Sequence, residues 1–310
     1  MNDIFQRQNS EDSLLKLRAQ GRSYDQVKNY SGAIIILSIV VVLILNVLAN
    51  ISPTNKALQN IALIYGALAT VLTCVLELSR ASKKSFAARI QQLIDSNLFG
   101  MGWEPIWGAK PSLDEIQEAA GDEPVERYRD WYDEAIQRVN KTAAITICFR
   151  INIKYDSKLR NKFMNGCHIL FWSIFTVIFS LMVILNVSLR YSLIYVFIPL
   201  LPVILLYAKL WINYKQDERN LNELRTTVED IQHRLIKGQS VKHKEYVDVQ
   251  SLILKHRENC FDVPSWYYHC HHSSNEESIH DFAMRIADKL LANQQLANDG
   301  KSQNSNHSRQ

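Results

Sequence analysis

The sequence predicts an all-α integral membrane protein with four transmembrane helices in two hairpins and a cytoplasmic helical layer. Three observations predict this fold. Four apolar runs contain no Asp, Glu, Lys or Arg, and short linkers join these runs in pairs. The longer polar segments between and after the pairs carry apolar residues at helical spacing.

The second pair of runs, residues 167–187 and 192–208, is the strongest signal for membrane spans. An uncharged apolar run of about 18 residues can cross a hydrocarbon core of about 30 Å as a helix. Backbone groups in hydrocarbon must bond internally, which requires helices here. Since only residues 188–191 separate the two runs, we expect an antiparallel hairpin. The alternative, a hairpin buried in a large soluble core, is disfavoured because soluble helices rarely lack a polar face for so long.

The first pair of runs, residues 32–49 and 61–76, is joined by a segment that contains Pro53 and Lys56. These runs and the polar segments predict the organisation of the whole chain. We expect an N-terminal amphipathic helix at 1–30, a transmembrane hairpin at 31–79, a central cytoplasmic helical segment at 80–166, a second transmembrane hairpin at 167–212, a C-terminal cytoplasmic helical segment at 213–297 and a disordered tail at 298–310.

Lys and Arg residues flank the polar ends of all four runs, whereas the two short loops carry only Lys56 and Arg190. This bias predicts that both termini and the central segment lie in the cytoplasm. The formal net charge of +4 is therefore mostly a topology signal. We expect the lipid bilayer as a partner, and no DNA or RNA.

Four residues inside or beside the runs are candidates for pore lining or span packing. Asn46 and Asn186 lie near the outer ends of the first and third spans, where an amide can join two helices or simply be hydrated. Pro199 and Pro202 interrupt the fourth span. Prolines there free backbone carbonyls and permit either a gate or a static kink.

Local signals predict several helices in the polar segments. Ser112 and Glu115 form a capping box, and Gly121 ends the short helix that they open. Pro124 is predicted to start another helix with its apolar residues on one face. Ser274 and Glu277 are predicted to form a second capping box, which opens a further helix. Residues 221–235 carry apolar side chains at 3-4-3-4 spacing, which fits a short intermolecular coiled coil or docking within the same subunit.

The motifs of enzymes and metal sites are missing from the sequence. Residues 269–272 (HCHH), with His256 and Cys260 nearby, are chemically able to bind a metal, but adjacent ligands do not easily converge on one ion. Neither G-x-S-x-G nor G-x-x-x-x-G-K-[ST] occurs. We therefore expect no metal, no cofactor, no catalytic residue and no enzymatic activity.

A ligand-binding function is better supported, because aromatic and cationic residues recur in the polar segments. Aromatic faces stack on bases and arginine binds phosphate as a fork, so such residues suit a nucleotide-like ligand. The alternative is that the aromatic residues are core and the cations face lipid headgroups. The aromatic and cationic residues of this set are Trp103, Trp107, Trp131, Tyr132, Arg150, Lys158, Arg160, Arg257, Trp266 and Tyr267. The candidate ligand-binding residues among them are Trp131, Tyr132, Arg150, Lys158, Arg160, Arg257 and Trp266.

Three stretches of the chain together resemble the SMODS-associated four-transmembrane effector family. Residues 4–28 match at Arg7, Gln8, Asn9, Ala19, Gln20, Tyr24 and Lys28. Residues 130–160 match at Trp131, Tyr132, Arg150, Asn152, Asp156, Leu159 and Arg160. Residues 254–268 match at Arg257, Asn259, Val263, Pro264, Trp266 and Tyr267. The resemblance spans nearly the whole chain and adds Asn152 and Asn259 to the candidate ligand-binding residues.

The resemblance implies a pore-forming effector of bacterial CBASS anti-phage defence in the inner membrane. In such systems a CD-NTase, a cGAS-like nucleotidyltransferase, makes a cyclic oligonucleotide that acts on the effector. The implied ligand is that messenger, and the implied assembly is a homo-oligomer that permeabilises the membrane and causes abortive infection. The alternatives are a membrane-anchored sensor or scaffold that signals through a protein partner, and a small transporter.

Overall fold

The computed structural model describes residues 2–52, 54–122, 124–268, 270 and 277–292, and these residues form helices and no strand. The helices are α1 (Ile4–Gln8), α2 (Glu11–Ile35), α3 (Val41–Ile51), α4 (Lys56–Phe99), α5 (Leu113–Ala120), α6 (Lys141–Ile184), α7 (Leu189–Ser192), α8 (Ile198–Ile236), α9 (His243–Asn259) and α10 (277–292). Two π-helical turns, Ile36–Val40 and Leu193–Phe197, connect α2 to α3 and α7 to α8.

The long helices each have an exposed apolar part and a buried part. α4 has 44 residues and is therefore about 66 Å long. Its residues Leu63 and Leu78 are 77% and 74% exposed, whereas Leu93 and Leu98 are buried. The exposed apolar parts coincide with the predicted spans, and the buried parts form a second region that we call the polar layer. It comprises residues 2–31, 79–166 and 213–292 as far as they are described.

Three of the described helical stretches are long and apolar enough to cross a membrane: Glu11–Ala49, Lys56–Phe99 and Lys141–Ile184. They contain the first two predicted spans and residues 167–184 of the third. The fourth predicted span, residues 192–208, is also helical and passes from α7 through the second π-helical turn into α8. α3 packs against α4 and α6 against α8, as the two predicted hairpins require.

The polar layer has one core to which both predicted cytoplasmic segments contribute. Phe99 and Phe149 meet edge to face with ring centroids 5.6 Å apart, and Phe149 also contacts Tyr246 on α9. Burying such a side chain contributes about 1.5–3 kcal/mol. The central and C-terminal segments therefore form one packed unit.

The capping box is confirmed, since Ser112 and Glu115 bond reciprocally and α5 ends before Gly121. The helix predicted after Pro124 is wrong. The structure has two short 3₁₀ turns there, Val125–Tyr128 and Glu134–Arg138.

The physical reason lies in α1 and the residue that follows it. The N–H groups of Asp130 and Tyr132 donate to the side chains of Asn9 and Gln8, at 3.0 and 2.6 Å. These distant amides satisfy backbone groups that a helix would have bonded internally. Asp130 also has a φ of 53°, which no α-helix contains. The apolar pattern nevertheless reflects real burial, since Tyr132 and Ile136 are fully buried.

The apolar pattern of residues 221–235 packs within the same subunit. Leu221, Leu224, Val228 and Ile231 are 0–3% exposed in the single chain. The core of the polar layer already covers this face of α8, so docking within the subunit is favoured over the coiled coil. The second predicted capping box depends on Ser274, which lies outside the described residues.

The candidate pore residues lie in different parts of the apolar helices. Asn46 is exposed and donates to the Val42 carbonyl of its own helix at 2.8 Å. Asn186 follows α6 with a φ of 49°, a conformation that asparagine tolerates at helix ends. Pro202 lies inside α8 and Pro199 is its second residue, with a side chain outside the described residues. Their role in a pore stays a prediction.

Candidate ligand-binding and coupling site

A buried carboxylate on α4 joins several of the predicted ligand-binding residues. Asp95 is 1% exposed and accepts hydrogen bonds from Tyr132 Oη at 2.6 Å, Arg257 Nη1 at 2.8 Å and Gln250 Nε2 at 3.1 Å. Asn152 donates to Tyr132 Oη at 3.1 Å. We call these five residues the Asp95 cluster.

Burial and charge act in opposite directions on Arg257. Desolvation lowers the pKa of its guanidinium, but Asp95, Tyr132 and Tyr24 together outweigh that effect and the pKa lies above its ordinary value. Burial also raises the pKa of Tyr132 well above 10.0. The Arg257 guanidinium is therefore charged at neutral pH, and the Tyr132 hydroxyl donates its hydrogen bond to Asp95.

A second cluster surrounds Arg160 on α6. Its Nε donates to Asp156 at 2.9 Å, and its Nη1 donates to Asp217 on α8 at 3.1 Å. His256 Nε2 lies 2.6 Å from Asp156. Arg160 also donates to the Phe261 carbonyl, and the Phe261 N–H donates to Asp217 at 3.0 Å. We call these residues the Arg160 cluster.

A third set of contacts is centred on Asp262, in the segment that follows α9. Asp262 accepts from Ser31 on α2 at 3.0 Å. Arg80 and Lys84 on α4 each donate to it at 2.6 Å. Lys84 is 3% exposed and also donates to the Cys260 carbonyl. Burial alone would raise the pKa of Asp262, but Lys84 and Arg80 hold it below its ordinary value of 3.8.

Residues 260–263, which we call the junction loop, therefore contact every long helix that carries a predicted span. The contacts are Ser31 on α2, Arg80 and Lys84 on α4, Arg160 on α6 and Asp217 on α8. Ser31 and Arg80 lie within a few residues of the first and second predicted spans. The junction loop thus lies where the polar layer meets the apolar parts of the helices.

The structure disperses the nine predicted ligand-binding residues. Tyr132, Asn152 and Arg257 belong to the Asp95 cluster, and Arg160 is the centre of its own cluster. The other five are placed as follows: Arg150 pairs with Glu229, Lys158 is half-buried, Asn259 donates to the Lys255 carbonyl at 2.7 Å, and Trp131 and Trp266 are 38% and 66% exposed. Their direct role toward a ligand stays a prediction.

Sequence reasoning missed three carboxylates of these clusters, Asp95, Asp217 and Asp262. A buried arginine is rare unless it is paired, so each buried cation implies a partner. One signal was available, because Asp95 directly follows Leu93 and Ile94 in the apolar part of its helix. Asp217 and Asp262 gave no comparable signal.

The described ranges contain no group of three His, Cys, Asp or Glu side chains placed to bind a metal ion. Residues 269, 271 and 272 of the His–Cys stretch lie outside those ranges. Cys270 is exposed, and Cys260 is buried with its Sγ 3.5 Å from the Arg257 carbonyl.

The depressed carboxyl pKa values predict loss of stability in acid. Burial opposes ionisation of Asp156, but Arg160 and His256 outweigh burial and lower its pKa, as Lys84 and Arg80 do for Asp262. Ionisation of such groups stabilises the fold above the unfolded pKa and is lost as pH falls toward the folded pKa. We expect the melting temperature in detergent to fall steeply below pH of about 4, measured by tryptophan fluorescence.

The matched comparison for the acid titration is Asp262→Asn, which should show a shallower decline over the same pH range. A melting temperature that stays constant from pH 7 to about 3 would contradict the assignment of these carboxylates.

The fold and the clusters define a class of protein. Exposed apolar helix ends and a helical layer bound to them by buried ion pairs are the features of a membrane protein with an attached helical domain. A family model described as SMODS-associating 4TM effector domain matches residues 2–286, and the chain belongs to this family of membrane effectors. Comparisons with curated proteins and with solved structures gave no match.

Proposed function

We propose that this protein is a membrane effector of a CBASS-type anti-phage system, activated by a cyclic oligonucleotide. In this proposal the residues 192–208 form a fourth span, and both termini and the polar layer face the cytoplasm of the bacterium. Binding of the messenger to the polar layer favours a homo-oligomer that permeabilises the inner membrane and aborts infection. The messenger comes from a CD-NTase, which is the functional partner that the family description implies.

The junction loop is the observation that carries this proposal. It follows α9 directly, and α9 supplies both Arg257 to the Asp95 cluster and His256 to the Arg160 cluster. A displacement of α9 therefore moves a loop that contacts α2, α4, α6 and α8 together. The polar layer can act on all four predicted spans through this one element.

The energetics set what the messenger must do. A ligand shifts an equilibrium only by its difference in affinity for the two states. Moving the protein from about 1% to about 99% in the permeabilising state requires about 10⁴-fold tighter binding to that state. Four spans of one subunit enclose little space, so an oligomer is the economical way to form an opening.

The test is dye release from liposomes that contain the purified full chain. We expect one member of a panel of cyclic di- and trinucleotides to trigger release, and the linear dinucleotides of the same bases to have no effect. Liposomes without protein are the control for nonspecific leakage. No release from protein shown to be inserted and folded would overturn the proposal and favour a scaffold that acts through a protein partner.

A further inference from the structure

Four cations lie near one another on one face of the polar layer. Arg150, Lys154 and Lys158 follow one another at a spacing of four on α6, so they share one face of the helix. Arg285 on α10 adds a fourth positive charge that acts on Lys154. Phe282 on α10 lies between the two helices, with Lys154 Nζ 3.7 Å and Arg150 Cζ 5.5 Å from its ring centroid.

The charge of this face is only partly compensated by carboxylates. Arg150 pairs with Glu229. Among the described residues, no carboxylate forms an ion pair or hydrogen bond with Lys154, Lys158 or Arg285. Like charges at this helical spacing repel each other. Desolvation and then Arg285, Lys158 and Arg150 lower the pKa of Lys154, with Asp281 opposing them. In the part of the chain that the structure describes, the fold therefore holds Lys154, Lys158 and Arg285 together without an ion-paired carboxylate, and the charge of Asp281 offsets theirs only in part.

Cations held together in this way fit an anion with several acceptor oxygens. Phosphate accepts charge-assisted hydrogen bonds from Lys and Arg. Phe282 holds the Lys154 ammonium over its ring by a cation–π contact, which fixes the position of that charge. The arginines of the Asp95 and Arg160 clusters are bound to buried carboxylates, so they are less able to receive an anion from solution.

We propose that Lys154, Lys158 and Arg285, with Phe282 between the helices, bind the phosphodiester groups of an anionic ligand. This inference rests on the proposed function when the ligand is the messenger. Lys158 lies nine residues before the third predicted span, or about 14 Å along the helix. The phosphate of an anionic lipid headgroup is therefore a second source of the same chemistry.

The site is connected to the junction loop through α6 itself. Asp156 and Arg160 lie within two residues of Lys158 on the same helix and bind His256 and the Phe261 carbonyl. A phosphate that draws α6 and α10 together therefore acts on one side of a helix whose other side bonds the junction loop.

The test compares the full chain with the Lys154→Gln/Lys158→Gln variant in nanodiscs of phosphatidylcholine alone. The probes are cyclic di-AMP, cyclic di-GMP and cyclic tri-AMP, measured by calorimetry. We expect the variant to bind the active probe at least about tenfold more weakly, since each removed cation removes a bond to a charged group. The control variant Lys255→Gln, exposed on α9, should bind as the original protein does.

A second readout separates binding from folding. Removing mutually repelling cations should leave the melting temperature of the variant unchanged or raised, so weaker binding cannot come from unfolding. Unchanged affinity in the variant, while the original protein binds and releases dye, would overturn this site and leave the proposed function standing.

The lipid arm repeats the melting measurement in nanodiscs that contain phosphatidylglycerol. A stabilisation by phosphatidylglycerol that the variant lacks, without binding of any probe, would assign the site to headgroup phosphate. That result would confirm the anion site, and it would contradict the part of the proposed function in which a cyclic oligonucleotide activates the protein. Equal behaviour of both proteins with every probe and both lipids would refute the site altogether.

Discussion

Asp262→Asn is expected to uncouple the polar layer from the membrane helices. The substitution keeps the shape of the side chain but removes the charge that faces buried Lys84 and partly buried Arg80. Removing one partner of a buried ion pair costs about 3–5 kcal/mol, because the other charge stays buried without compensation. We therefore expect a lower melting temperature and loss of messenger-triggered dye release, with insertion into the membrane retained.

Two further variants test whether the unpaired charge causes these effects. Asp248→Asn changes an exposed carboxylate on α9 and should leave both melting and dye release unaltered. Adding Lys84→Met to Asp262→Asn removes both charges, and we expect it to recover part of the lost stability. If Asp262→Asn melts and releases dye like the Asp248→Asn control, the junction loop does not couple the two regions.

Arg257→Gln is expected to have an equally large effect on the core of the polar layer. Asp95 is 1% exposed and would lose its only ion-pair partner among the described residues, keeping the donors Tyr132 and Gln250. The substitution should again lower the free energy of unfolding by about 3–5 kcal/mol. Thermal unfolding monitored by near-ultraviolet circular dichroism measures it, since Tyr132 is an aromatic member of the cluster.

A double-mutant cycle with Asp95→Asn isolates the pair. The double variant should be less destabilised than the sum of the two single variants, because it leaves no unpaired buried charge. Lys255→Gln, at an exposed position two residues from Arg257, is the matched control. Additive losses in the cycle would show that the two charges do not stabilise each other.

The sequence predicted the cations of the candidate site but not the carboxylates that pair with them. The cations could be found, because an arginine or lysine beside aromatic residues is a recognisable pattern. The sequence could not show which of these cations are free to bind an anion, because that depends on where the carboxylates lie in the folded protein. The partners Asp95 and Arg257 are 162 positions apart, and Lys84 and Asp262 are 178 apart.

The sequence by itself determined the apolar helices and their pairing into hairpins, because hydrocarbon permits an uncharged run of such length only as a helix and short linkers permit only neighbours. It also determined local features such as the capping box of α5, whose bonds join residues three apart. Only the tertiary structure decided that residues 125–138 form 3₁₀ turns, that the apolar face of α8 packs within its own subunit, and that the junction loop joins four helices. Each of these depends on groups distant in the chain, and their proximity arises only when the helices pack.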